Sequence, residues 1–142
     1  MPNLFVYGSL QFPELVEKLT GEEFNSSPAI LKGFQRFAVK RDDYPAIIEN
    51  LDSEVHGLLL FDIDERSMEI LTFYEGDEYA RASVAVTCES GTYDALVFVW
   101  SQGIQLLEDF DWDINLFREN SLQIYLDKVA PETKRDFRNS DI

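Results

Sequence analysis

From Leu4 to Trp100 the chain is a procession of short apolar runs, each stopped within a few residues by glycine, proline, asparagine, aspartate or serine. Runs of this length fit strands, and their close succession leaves little room for long helical crossovers. Leu4-Phe5-Val6-Tyr7 stops at Gly8 and reads as a buried first strand. Ala29-Ile30-Leu31, Phe37-Ala38-Val39 and Ala46-Ile47-Ile48 read as separate strands, and residues 55–61, interrupted by Gly57, as a central one. Ser83-Val84-Ala85-Val86-Thr87, a Glu89-Ser90-Gly91 turn and residues 95–100 read as a hairpin.

Helices enter at only a few places. Pro13 opens and Gly21 closes a short one over residues 14–19, the usual punctuation of a helix start and end. Asp64 is placed to cap a second over residues 65–74, which Gly76 ends. A third is expected over residues 113–129, with Ile114, Phe117, Leu122, Ile124 and Tyr125 on a broad apolar arc. Beyond Pro131 the composition turns polar, which predicts one domain over residues 1–130 and a frayed polar tail over 131–142. Strands in succession with a few helices argue for an α+β fold whose largely antiparallel sheet curls to cover itself.

Composition narrows the partners. Twelve basic residues against 27 acidic ones leave a formal charge of -15, a surface that phosphate backbones repel. Nucleic acid and anionic membrane are therefore not expected partners. No run approaches the roughly 18 apolar residues of a membrane helix, and the start of the chain lacks a basic leader, so a cytoplasmic protein is expected. Cys88 is the lone cysteine and lies in a strand-like run, as a buried structural thiol would. The pattern suits a monomer as well as a homodimer.

Two places break local rules. At Tyr7-Gly8-Ser9-Leu10 a buried strand meets the approach to a helix, and glycine lets the backbone turn sharply. Consecutive N–H groups there can form a nest for a carboxylate or an oxyanion; the alternative is a plain strand-to-helix turn. The second place is Glu75, which follows Met68 and Leu71 at helical spacing and so continues an apolar stripe. A carboxyl on a core-facing stripe is desolvated and gains a raised pKa suited to acid/base work. The alternative is a helix-end glutamate turned out into water.

Taken in order, these segments resemble a known family. Leu4 to Leu10 is similar to the opening signature of the gamma-glutamylcyclotransferase-like family, an apolar strand followed by YGS/T-L. Tyr44-Pro45-Ala46-Ile47 resembles its second block, and residues 55–61 its V-x-G-x-hydrophobic strand. Leu71 to Arg81 resembles the stretch ending in E-G and then Y-x-R, and the segment after Trp100 is similar to the plant avirulence-induced-gene branch. The resemblance implies a small mixed, mostly antiparallel barrel flanked by helices. It implies an enzyme without cofactor or metal that releases 5-oxoproline from a small gamma-glutamyl substrate. It implies Glu75 as the catalytic acid/base, with Tyr7, Gly8, Ser9, Leu10, Tyr79 and Arg81 on the substrate. Gln11 departs from the pattern, since a basic residue often follows YGTL.

Other readings compete with this one. A binding module could use the same cavity for a small carboxylate without turnover. A hydrolase would need Ser9 beside His56, the one histidine, with an acid behind it. Asp109, Asp111 and Asp113 have the alternate spacing of a calcium loop, but Ile114 and Asn120 stand where its glycine and glutamate belong. An acidic turn capping the last helix is expected instead.

Overall fold

A computed structural model describes residues 1–140. Strand β1 (Leu4–Val6) leads through a single 3₁₀ turn (Ser9–Gln11) into helix α1 (Pro13–Thr20), which Gly21 closes in the left-handed conformation. Strands β2 (Ser26–Ala38) and β3 (Pro45–Leu60) follow, then helix α2 (Glu65–Glu75) and the hairpin of β4 (Tyr79–Cys88) and β5 (Gly91–Trp100). The chain ends in α3 (Ile114–Asn120), a short α4 (Leu122–Ile124), a π turn (Tyr125–Val129) and α5 (Ala130–Ser140). Among these residues no helix is long and apolar enough to cross a membrane.

The sheet closes on itself in the order β1-β3-β2-β4-β5. Pairings are antiparallel except the closing one, where β1 runs parallel to β5 at Leu4 and Leu96. This is the mixed, mostly antiparallel barrel that the family resemblance implies. β1 is buried on both faces, which is why its sequence is apolar without alternation. Phe5 and Tyr7 join Leu31, Ile47, Val86 and Val97 in one core cluster. Leu4 and Val6 pack instead with Leu15, Leu19, Met68 and Leu71 of the helices. Cys88 is buried in the first of these clusters, as expected of a structural thiol.

The sequence divides the second and third strands too finely. Residues 29–31 and 37–38 belong to one strand, β2, and residues 46–48 and 55–60 to one strand, β3. The register slips between Lys32 and Phe34, where Gly33 takes a φ of 88°, and residues 50–53 loop out opposite. Glycine and a polar Asn50-Leu51-Asp52-Ser53 run mimic turns in sequence while marking a break inside a continuous pair. Val39 lies past the end of β2 and makes an isolated bridge to Leu107.

The expected frayed tail is also corrected. Asp113 caps α3 by accepting from the N–H groups of Asn115 and Leu116, but helical structure persists to Ser140. Proline removes an N–H and crowds the carbonyl one turn back, so Pro131 reads as a stop. Here the wider π turn precedes it and relieves that crowding. Phe137 then anchors α5, 6% exposed, edge-on to Phe73 at 5.6 Å and beneath the Arg66 guanidinium at 5.9 Å. The expected end of the domain at 130 therefore falls inside ordered helical structure, and residues 141–142 of the expected tail lie outside the described ones.

Gly57 is where the barrel tolerates no side chain. A Cβ there would lie 2.2 Å from the Val6 carbonyl oxygen and 3.0 Å from the Phe5 ring. Gly57→Ala should therefore cost about 1–3 kcal/mol, typical of overpacking in a filled core. Urea denaturation checks this as a lower midpoint at unchanged slope. An unchanged midpoint would mean that β1 can move away from β3 freely.

Candidate active site

The end of β1, the 3₁₀ turn and the end of α2 meet at a cavity of about 190 Å³. That is below the roughly 300–1,000 Å³ of drug-sized pockets and suits an amino-acid-sized ligand. Tyr7 carries the chain out of the barrel, its hydroxyl donating to the Phe98 carbonyl while its own carbonyl accepts from Arg36 at 2.8 Å. Gly8 comes next, at φ -127° and ψ -134°, outside the left-handed region. Its lack of a side chain serves packing: a Cβ would stand 2.8 and 2.9 Å from the ring carbons of Pro45. Gln11 and Phe12 donate back to the Gly8 and Ser9 carbonyls and close the turn. The N–H groups of Gly8, Ser9 and Leu10 have no backbone acceptor among the described residues, as expected at the start of a helical turn.

Glu75 is the last residue of α2, and Gly76, at φ 81°, turns the chain away behind it. Met68 and Leu71 on the same stripe are 5% and 0% exposed, so the stripe does deliver the carboxyl toward the core. Glu75 keeps some accessible surface, as a cavity-lining residue must, but protein surrounds it and burial pushes its carboxyl up to about 8. Desolvation acts alone; no cation or hydrogen bond among the described residues offsets it.

Five of the chain's six tyrosines line the cavity with it. Tyr74 and the Ser9 hydroxyl bond at 2.7 Å, and Tyr79 donates to the Pro45 carbonyl at 2.7 Å. Tyr44 donates to Glu78 at 3.0 Å and Tyr125 to Asp43 at 2.6 Å. Burial raises Tyr7, Tyr74 and Tyr79, and the neighbouring Glu75 charge raises them further, so these phenols stay neutral. Glu75, held near 8, is a cavity group that can trade a proton near neutral pH.

The structure brings Tyr7, Gly8, Ser9, Leu10, Glu75 and Tyr79 to one cavity and leaves Arg81 out. Arg81 is exposed on β4 and donates to Thr72 Oγ1 at 3.5 Å. Gln11 folds back onto the Gly8 carbonyl at 3.3 Å rather than reaching the cavity. Ser9 and His56 do not meet: the histidine ring lies on the surface, 2.8 Å from Glu54. Asp111 pairs with Arg36 at 2.8 Å and Asp113 caps α3, so these two acids have structural partners.

Sequence reasoning missed Tyr44, Tyr74, Glu78 and Tyr125 as cavity residues. Tyr44 lies in a recognised block and Tyr74 precedes Glu75, but nothing local distinguishes them from core or surface aromatics. Tyr125 and Glu78 depend on long-range packing alone.

Known proteins agree with this architecture. The family model described as gamma-glutamyl cyclotransferase, AIG2-like, matches residues 4–114. AIG2-like protein A of Arabidopsis thaliana is 35% identical over 69% of this chain and 61% of its own length. AIG2-like protein B of the same plant is 38% identical over 59% of this chain and 49% of its own. The chain thus spans half to three fifths of these two relatives. The solution structure of another Arabidopsis protein has a TM-score of 0.69 at 26% identity, covering 99% of this chain and 93% of that one. A solved gamma-glutamyl cyclotransferase has a TM-score of 0.57 at 14% identity, covering 94% and 86%, and shows the shared fold. With the family model matching most of its length, the chain belongs to the gamma-glutamyl cyclotransferase, AIG2-like family.

Proposed function

We propose that this protein is a cofactor-independent gamma-glutamylcyclotransferase that releases 5-oxoproline from a gamma-glutamyl amine or amino acid. The observation that carries the reading is Glu75, an unpartnered carboxyl held near pKa 8 beside the free N–H groups of Gly8 to Leu10. Among the described residues no lysine or arginine lines the cavity, so a ligand's ammonium finds a carboxylate and no competing cation.

The chemistry follows from those groups. Glu75 takes a proton from the substrate's alpha-ammonium and frees the nitrogen lone pair. That nitrogen attacks the gamma-carbonyl carbon, forming the ring C–N bond and placing negative charge on the oxygen. The loop N–H groups are suited to hold that charge. As the intermediate collapses, the amide C–N bond breaks and the Glu75 proton passes to the leaving nitrogen. The ring nitrogen loses its second proton to the same leaving group, which departs as an ammonium, and Glu75 ends ionised as it began. The nucleophile is part of the substrate, so positioning supplies much of the rate.

Glu75→Gln should therefore lower kcat by about 10²–10⁴, the usual worth of a general acid/base, while 5-oxoproline still binds. A panel of gamma-glutamyl compounds assayed for 5-oxoproline release, with calorimetry alongside, separates the two effects. Turnover within a few-fold of wild type would take Glu75 out of the mechanism.

The same carboxyl links folding to pH. Its folded value of about 8 lies above the usual 4.5, so the folded state holds the proton more tightly. That contribution is fully present below pH 4.5 and is lost as pH rises through 8. Glu75→Gln has no such loss, so the variant should gain melting temperature relative to wild type between pH 5 and 9. Thermal denaturation across this range would show parallel curves if Glu75 ionised normally.

The loop separates this mechanism from a serine nucleophile. Ser9 spends its hydroxyl on Tyr74, so Ser9→Ala should keep most turnover. Gly8→Val would drive a side chain into Pro45 and should lose both binding and turnover. A Ser9→Ala protein that binds 5-oxoproline but is inactive would replace the cyclotransferase mechanism with a covalent one.

A further inference from the structure

The family match ends at residue 114, yet Tyr125, Val129 and Thr133 also line the cavity. They come from the helical segment formed by α4, the π turn and α5. Eight residues of straight α-helix would set Thr133 about 80° round from Tyr125, at the far edge of one helical face. The π turn at Tyr125–Val129 carries more residues per turn and rotates the following helix back. All three side chains then face the same cavity.

The segment is held in place at two points. Tyr125 donates to Asp43 in the β2–β3 loop at 2.6 Å, and Ala130, the next residue after the π turn, is fully buried. Tyr125, Val129 and Thr133 are themselves half-buried, whereas Phe5, Val6 and Tyr7 at the barrel end of the cavity are 1%, 4% and 7% exposed. The helical wall is therefore a half-buried side of the cavity, built by a segment outside the family match.

Resting on the cyclotransferase reading, we propose that this wall contacts the leaving amine and sets its permitted size, with Val129 as the selecting side chain. The ring-forming glutamyl end must reach Glu75 and the Gly8–Leu10 N–H groups. The leaving group then extends outward along Tyr125, Val129 and Thr133. A pocket wall distinguishes ligands that differ by one methylene with about a 10–200-fold preference, and a valine at its middle is well placed to do so.

The test uses gamma-glutamyl methylamide, butylamide and cyclohexylamide with the wild type, Val129→Phe and Val129→Ala. Binding is measured by calorimetry and turnover by 5-oxoproline release. Val129→Phe should lower the cyclohexylamide-to-methylamide ratio at least tenfold in affinity and kcat/KM, and Val129→Ala should raise it. A uniform change across the three amides, or none, overturns the wall. Val129→Ala keeps the test open if the larger residue fails to fold. Size-selective binding without any 5-oxoproline release would retire the cyclotransferase reading while leaving the wall in place.

Discussion

Closure of the barrel rests on a strand of three residues, β1, wedged between β3 and β5. So short a strand contributes few hydrogen bonds, and its hold comes from burial on both faces. Phe5 and Leu4, 1% and 0% exposed, each contribute about 1.5–3 kcal/mol by leaving water. The close approach of β3 at Gly57 makes this double burial possible. Once β1 is fixed, the positions of Tyr7 and Gly8 are set, because the chain leaves the barrel directly between α2 and Pro45. Pro45 in turn holds Gly8 by contact and Tyr79 by its carbonyl. Residues far apart in sequence are thus tied to one exit point.

That exit point is arranged around a group left without a partner. Each cavity tyrosine has an acceptor or donor of its own: Phe98, Ser9, Pro45, Glu78 and Asp43 supply them. Glu75 has none among the described residues. A desolvated carboxyl with no hydrogen bond disfavours its ionised form, and a fold has no structural use for one. Because the surrounding phenols are already engaged, they do not swing in to neutralise it. The result is a polar wall around a desolvated carboxyl, an arrangement that would serve the proposed proton transfer without reorganisation.

What the sequence reveals follows the range of the interactions involved. The caps of α1 and α2 are legible because Pro13, Gly21, Asp64 and Gly76 act within a turn of themselves. The stripe from Met68 to Glu75 is legible for the same reason. The long strands β2 and β3 are not, because Gly33 and residues 50–53 carry turn chemistry inside a continuous pair. α5 is hidden by Pro131, whose effect depends on the turn before it. Tyr44 and Tyr125 reach the cavity only through Glu78 and Asp43, 34 and 82 residues away along the chain. Arg81 shows the converse: its position in a sequence motif gives no guide to its side chain, which lies outside the cavity.

The charge of the chain bears on how the site is loaded. A net charge of -15 concentrates cations near the surface and repels anions. The gamma-glutamyl zwitterion proposed as substrate would therefore be drawn by its ammonium and opposed by its carboxylate. Inside the cavity the same asymmetry holds, since carboxyls but no lysine or arginine line it among the described residues. Glu75 is largely protonated at pH 7 when the site is empty, because burial holds it near 8. An arriving ammonium supplies the opposite charge that burial had denied it and lowers its pKa. Under the proposed mechanism the ligand would thereby bring about the ionised carboxylate that its own deprotonation requires, while the empty site at pH 7 holds Glu75 mostly uncharged.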